Sequence, residues 1–376
     1  MISPETFEIF LTVPPGLESV LVAELREKRF ANPQITTGGV TIDGSWPDVW
    51  RANFEIRGAS RILARVGQFR VVHLAQLDKK ARAIAWGDVL RKDVSVKVEA
   101  SARRSKLYHA GAIAQRIETA ISEEFGAAIS KDASIRVLAR IDDNICTISV
   151  DTSGELLHRR GFKEDVAKAP MRETLAALFL RQCGYSGEEP VYDPMCGSGT
   201  FVIEAAEIAA RLNPGRERDF AFEHLAGFDP AAWAAMRAES EANSPNFRFY
   251  GSDKDVGAIR ASAANAERAG VAEITSFEKK SAAEIEPPDG SPGLVIVNPP
   301  YGARIGNLKA LYGVYHELGQ SLRAQFSGWR VGLLTSEDKL ARATRLPFGK
   351  PSRSIDHGGI KIRLYQAKIA TSAGNN

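Results

Sequence analysis

From Val191 to Thr335, short apolar runs alternate with helical periods in an order that admits few folds. Val191-Tyr192, Phe247 to Tyr250, Ile274 to Phe277, Leu294 to Val297 and Val331 to Thr335 read as strands. Between them Phe201 to Leu212, Val256 to Ala269 and Leu308 to Ala324 place apolar residues every three or four positions, as amphipathic helices do. Parallel strands need long crossovers, so strands separated by helices predict a doubly wound α/β sheet with its ligands at the carboxyl edge. A helix over Met171 to Cys183 leads into this sheet, and late strands near Arg345 to Pro347 and Ile360 to Ile369 close it.

Upstream, Phe7 to Val13 alternates as a strand, Leu17, Val20, Leu21 and Leu25 keep a helical period, and Val40 to Ile42 form a strand after Gly38-Gly39. A helix over Trp46 to Asn53 and a strand over Arg61 to Phe69 complete a ferredoxin-like region, residues 1–65. Helices at Leu74 to Ala85 and Ala110 to Phe125, with strands at Val94 to Ala100, Ile135 to Ile141 and Ile145 to Val150, predict a second α/β domain over 66–155. The pattern breaks between Asp151 and Ala169, around Gly154, Gly161 and His158-Arg159-Arg160, which marks a linker over 156–168. The doubly wound domain then covers 169–370, and 371–376 is expected to fray.

A chain of 376 residues suits two or three domains, and its 44% apolar and 25% charged residues are globular values. No apolar run approaches the roughly 18 residues of a membrane span. Met1 to Glu8 carries acidic residues and no basic region before an apolar stretch, so a cytoplasmic location without a secretory signal is expected. Cys146, Cys183 and Cys196 form no CxxC pair, and the six histidines, among them His109, His158 and His316, show no ligand spacing, so no metal is expected. A net charge of +3 names no partner, but residues 51–110 hold fourteen Arg or Lys against five Asp or Glu. That is the pattern of a nucleic-acid-binding module, or equally of solvated helix faces.

Asp193-Pro194-Met195-Cys196-Gly197-Ser198-Gly199-Thr200 puts an acid and two glycines between a strand and a helix, where backbone must turn tightly and approach a ligand. It lacks the Lys of a Walker loop and the third Gly of GxGxxG. Asp253 ends the next strand, where a carboxylate can take two ribose hydroxyls, so the pair points to an adenosine-like cofactor. The long separation of Asp193 from Asp253 is ascribed to an insertion over Asn213 to Asn246 and disfavours a dinucleotide dehydrogenase. The candidate cofactor residues are Asp193, Met195, Cys196, Gly197, Ser198, Gly199, Thr200 and Asp253.

Asn298-Pro299-Pro300-Tyr301 follows the strand Leu294 to Val297 and so lies at the carboxyl edge. Two prolines stiffen the turn, leaving the Asn298 side-chain oxygen and the Pro299 carbonyl as fixed acceptors beside the flat ring of Tyr301. An exocyclic amine on a planar base fits that frame, and a base unstacked from folded RNA could rest on the tyrosine. Asn298, Pro299, Pro300 and Tyr301 are the candidate catalytic residues.

Both motifs resemble the S-adenosylmethionine and NPPY motifs of class I amino-methyltransferases. Ser105 to Ile113, Asp151 to Gly161, Ala169 to Leu175, and Asn298 to Gly302 with Arg304 are similar to THUMP-containing guanine-N2 RNA methyltransferases, in particular those acting on large-subunit (23S) ribosomal RNA. The resemblance covers nearly the whole chain. It implies an N-terminal ferredoxin-like region, a THUMP RNA-binding domain and a Rossmann-like class I methyltransferase domain. It further implies S-adenosyl-L-methionine as cofactor, held by Asp193, Gly197, Gly199 and Asp253, and ribosomal RNA as partner, its base held by Asn298 and Tyr301. Lys280-Ser281-Ala282 stands where many relatives carry an acidic residue toward the adenine, and the second methyltransferase domain of the best-known relative has no counterpart here, so a single modification is expected. Transfer RNA guanine N2, adenine N6, and a non-catalytic RNA-binding ribosome-assembly role remain the alternatives.

Overall fold

The computed structural model describes residues 6–164, 171–239, 242–301 and 308–371. Ala169, Pro170, Gly302 and Arg304 of the motifs above lie outside the described residues. The chain divides into two units, one of residues 1–13, 21–157 and 218–239, the other of 14–20, 158–217 and 240–376.

From the N-terminus the chain runs β1 (Phe7–Thr12), α1 (Glu18–Glu27), β2 (Gln34–Thr36), β3 (Gly39–Gly44), α2 (Trp46–Glu55) and β4 (Arg61–Arg70). It continues through α3 (Leu74–Arg82), β5 (Val96–Arg103), α4 (Ala110–Ala120), β6 (Ile135–Asp142) and β7 (Ile145–Asp151). The seven strands form one sheet in the order β2-β3-β1-β4-β7-β6-β5. The antiparallel pairing of β4 with β7, which shifts register between Arg65 and Gly67, carries the hydrogen bonding from the ferredoxin-like strands into the following ones.

The basic character of residues 51–110 is offset in part by acids from elsewhere in the first unit, which pair with at least five of its fourteen Arg or Lys. Arg61 pairs with Asp151 and Arg65 with Glu8. Arg82 reaches Glu123 and Glu124, each at 2.6 Å, and Arg103 and Arg104 share Asp142 at 2.8 and 2.9 Å. A charge count along the sequence therefore overstates the free cationic face.

The segment just before the expected linker is a buried clasp. Asp151, Thr152 and Ser153 are fully buried. Ser153 Oγ donates to Asn53 Oδ1 at 2.7 Å and accepts from the Ile62 N–H at 2.9 Å, while Asn53 Nδ2 donates to Thr152 Oγ1 at 2.9 Å. Buried polar groups are tolerated because they satisfy one another. The expected insertion also contributes to this unit: Phe222 stacks on Trp50 at 6.1 Å and Trp233 meets Phe54 edge-on at 5.4 Å.

The second unit holds α5 (Glu173–Gln182), β8 (Val191–Asp193) and α6 (Thr200–Ala209); after α7 (Pro230–Ala238), which belongs to the first unit, come β9 (Phe249–Asp253), α8 (Val256–Arg268), β10 (Thr275–Lys279) and β11 (Leu294–Val297). It ends with α9 (Leu308–Gln325), β12 (Arg330–Thr335), α10 (Asp338–Ala343), β13 (Ile355–His357) and β14 (Ile360–Lys368). Its sheet has the order β10-β9-β8-β11-β12-β14-β13, parallel from β10 to β12, with β14 antiparallel to both its neighbours. Strand order reverses between β8 and β11, the switch point where such sheets open a ligand crevice. All four residues of β11 have no exposed surface, which explains its unbroken apolar run.

The strand expected at Arg345 to Pro347 does not form; the closing strand is β13, with Ile355 opposite Ile362. Pro347 has no N–H to give a ladder, and the Leu346 N–H donates to Thr344 Oγ1 at 3.2 Å in a turn after α10. Leu346 is apolar because it is buried there.

Candidate active site

All twelve candidate residues belong to the second unit, at the carboxyl ends of three consecutive strands, β9, β8 and β11. Adjacent strands lie about 4.8 Å apart, so Asp253 and Asn298 flank the turn that follows Asp193 at short range on either side. Met195 and Tyr301 both pack against one apolar cluster containing Tyr192, Val297 and Tyr315.

The turn after β8 is shaped by two left-handed glycines, Gly197 at φ +54° and Gly199 at φ +82°. A Cβ on Gly199 would come within 3.1 Å of Ser262. The Gly197 N–H donates to Asp253 Oδ2 at 3.1 Å, and the Asp255 N–H donates to Asp253 Oδ1 at 3.0 Å. The Asp253 carboxylate is thus oriented by backbone donors while remaining partly exposed at the strand end, with lone pairs left for a diol. Cys196, Ser198 and Thr200 are buried and turn their side chains into the protein. Burial pushes the Cys196 thiol well above its usual range, so it is a packing group here.

Asp193 is 2% exposed, and burial pushes its carboxyl up to about 8, although the Met195 N–H donates to its Oδ1 at 3.0 Å. Nearby Asp253 acts in the same direction. A buried acid without a cationic partner among the described residues is a place where a positively charged ligand is favoured. These features fit a cofactor carrying a ribose and a positive charge.

Several positioning groups carry no motif. Ser262 and Asn265, three apart on α8, hold the turn from behind: Ser262 Oγ donates to the Gly197 carbonyl at 2.9 Å and Asn265 Nδ2 to the Ser198 carbonyl at 3.1 Å. Lys163 donates to Thr200 Oγ1 at 2.8 Å and to the Met171 carbonyl at 3.0 Å, and pairs with Glu173 at 3.1 Å. Arg160, part of the basic cluster in the expected linker, is buried and paired with Glu204 at 3.2 Å. The only sequence signal for Ser262 and Asn265 is a polar pair on a helix face that its neighbours make apolar.

At the end of β11, Asn298 Oδ1 is buried and has no hydrogen-bond partner among the described residues. An orphaned acceptor costs about 1–3 kcal/mol unless a ligand donor meets it. Pro299 is buried, Pro300 exposed, and Tyr301 half-buried, with burial pushing its hydroxyl up to about 12. The Tyr315 hydroxyl donates to the Pro300 carbonyl at 3.3 Å and lies 3.2 Å from Thr335 Oγ1, so α9 and β12 brace the turn. No cluster of His, Cys, Asp or Glu suited to a metal occurs among the described residues, and none of their helices is long and apolar enough to cross a membrane.

Three family models match the chain: an RlmL ferredoxin-like domain over residues 8–63, a THUMP domain over 72–151, and an RMKL-like methyltransferase domain over 160–363. The "Ribosomal RNA large subunit methyltransferase K/L" of Psychromonas ingrahamii is 33% identical over 376 aligned residues, covering 96% of this chain and 50% of the relative. The chain thus spans about half the length of the curated relatives it matches. Among solved structures, a "possible methylase" of Clostridium difficile 630 is 28% identical with a TM-score of 0.89, covering 99% of this chain and all of the other. The SMU.472 protein, whose crystal structure holds SAH, is 26% identical with a TM-score of 0.88 over 98% of this chain and 99% of that one. The Rossmann-like class I methyltransferase fold, preceded by ferredoxin-like and THUMP regions, is shared throughout.

Proposed function

This chain belongs to the RMKL-like methyltransferase family, and from that premise we propose that it methylates the exocyclic N2 of a guanosine in large-subunit ribosomal RNA, using S-adenosylmethionine. The observation that carries the acceptor assignment is the buried Asn298 Oδ1 at the end of β11, which has no hydrogen-bond partner among the described residues. S-adenosylmethionine, when bound, supplies an electrophilic methyl group on a sulfonium. SAH, its demethylated form, occupies the SMU.472 relative.

In this reading Asp253 accepts the two ribose hydroxyls, Asp193 offsets the positive charge, and Gly197 and Gly199 let the backbone approach. Asn298 Oδ1 and the Pro299 carbonyl accept the two hydrogens of the amine, turning its nitrogen lone pair out of conjugation and toward the methyl donor. Tyr301 stacks on the extruded base. So held, the nitrogen would be presented to the electrophilic methyl group that S-adenosylmethionine would supply, and the methylated amine would lose one proton to solvent, so no strong base is required. The relative's printed name, together with the THUMP match at 72–151, supports ribosomal RNA as the substrate.

Adenine N6 is the second reading, because Asn298 Oδ1 would accept equally from that amine. Transfer of isotope-labelled methyl groups to total RNA by the purified chain, followed by nucleoside mass spectrometry, separates the two. N2-methylguanosine in large-subunit RNA is expected. N6-methyladenosine, or label confined to transfer RNA, would replace the substrate assignment, and no transfer to any RNA would favour a non-catalytic RNA-binding role.

A further inference from the structure

A cleft of about 430 Å³ opens at the carboxyl edge of the second unit's sheet, lined by Ser336, Glu337, Lys339, Ser354, Lys361 and Arg363, together with Asp338. Its position follows from strand register. Val297 aligns with Leu333 across the parallel pair β11 and β12, so the turn of Asn298 and the segment of Ser336 leave the same edge on neighbouring strands. The Tyr315 hydroxyl bridges Pro300 on one side and Thr335, the residue before Ser336, on the other. β14 runs antiparallel with Arg363 opposite Thr335, and its hairpin with β13 turns through Gly358 and Gly359 at φ +61° and +82°, which places Lys361 toward that turn.

The charges of the cleft do not cancel. Arg363 pairs with Asp338 at 3.0 Å, and the Tyr365 hydroxyl also donates to Asp338, whose carboxyl is held below its usual range by these partners. Glu337 lines the cleft together with Lys339 and Lys361, both exposed, and neither lysine forms an ion pair among the described residues. The whole segment from Ser336 to Lys368 holds eight Arg or Lys against three Asp or Glu. An anion is the ligand such a cleft favours, and a base drawn out of a folded strand brings its flanking phosphodiesters to the mouth of the site.

We propose that this cleft is a phosphate subsite, in which Lys339 and Lys361 hold the phosphodiester backbone on either side of the nucleotide whose base reaches Asn298. The inference rests on the reading of the chain as an RNA methyltransferase. Two phosphate contacts add a sequence-independent, salt-sensitive contribution to RNA affinity and none to cofactor affinity.

The test is steady-state methylation of large-subunit RNA by the full chain, at several salt concentrations, with Lys339→Ala/Lys361→Ala and the conservative Lys339→Arg/Lys361→Arg. Both lysines are exposed, so the fold should be unaffected, as a thermal melt checks. The alanine pair is expected to raise KM for RNA roughly tenfold at physiological salt and to flatten the logarithmic salt slope by roughly 1.4. Its kcat and S-adenosylmethionine affinity should match wild type, and the arginine pair should restore KM. An alanine pair with wild-type KM and salt slope overturns the proposal. If the wild-type chain methylates no RNA, the functional reading fails instead, and the salt slope of equilibrium binding of the same RNA to the same variants still decides whether these lysines contact phosphate.

Discussion

The hydroxyl of Tyr315 donates to the carbonyl of Pro300 at 3.3 Å, so a residue of α9 that carries no motif fixes the turn presenting Asn298. Thr335, 3.2 Å from the same hydroxyl, links that brace to the end of β12. Tyr315→Phe keeps the packing and removes only the hydroxyl. Losing one neutral hydrogen bond corresponds to about 1 kcal/mol, or roughly a fivefold fall in kcat, if the brace holds Asn298 in its productive position. Cofactor affinity by calorimetry should not change, because Asp193 and Asp253 end other strands and Gly197 lies in the turn after β8.

Asp193 gives a pH dependence of defined sign. Its folded carboxyl is pushed up to about 8 by burial, whereas an unfolded Asp titrates at about 3.9. The native chain therefore holds this proton more tightly than the unfolded one, and the stability tied to it is fully present below about pH 4 and is lost as pH rises toward 8. A cationic cofactor favours the ionised form, so affinity for S-adenosylmethionine should rise across the same window. Melting with and without cofactor between pH 5 and 9 should show the two curves diverging up to about pH 8. Asp193→Asn should abolish this divergence; an unchanged divergence would assign it to another group.

Gly199 has φ +82°, and an added Cβ would meet Ser262 at 3.1 Å, the residue that holds the Gly197 carbonyl. Gly199→Ala should cost about 1–2 kcal/mol for the left-handed backbone alone. Cofactor affinity should fall roughly tenfold or more, since about 1.4 kcal/mol transmitted to the turn suffices for that. Calorimetric titration checks this. Gly270, with nothing within 4 Å of an added Cβ, is the control: Gly270→Ala shares the backbone strain but should leave cofactor affinity alone.

Lys163 should prove structural. Lys163→Met strands Glu173, which is 5% exposed, and removes the donor to Thr200 and Met171. Breaking one side of a buried pair costs about 3 kcal/mol. Denaturant unfolding should show that loss, and Lys163→Met/Glu173→Leu should recover most of it.

The parallel core of the second unit was legible because each strand is an apolar run bounded by turns and each helix keeps its period. Leu294 to Val297 is so apolar because β11 is covered on both faces. The turn after β8 and the strand-end position of Asn298 were legible for a related reason: glycines, prolines and strand-end acids mark where backbone must leave the sheet. Groups whose role depends on distant partners were not legible. Tyr315 and Asn265 look like ordinary helix residues until folding brings them to Pro300 and Ser198. Arg160 reads only as one of a basic cluster in the linker until folding pairs it with Glu204, 44 positions away. Pro347 misled in the other direction, since Leu346 is apolar for burial in a turn.

In the proposed complex, Asn298 Oδ1 receives an amine hydrogen of the target base. This contact is tested most directly by comparing wild-type chain with Asn298→Ala for methyl transfer to large-subunit ribosomal RNA and, in parallel, for S-adenosylmethionine binding. Wild type should yield N2-methylguanosine, the variant should lose at least a hundredfold in kcat, which corresponds to about 2.7 kcal/mol of transition-state stabilisation, and cofactor affinity should be unchanged. A variant that methylates at the wild-type rate would contradict that role for Asn298.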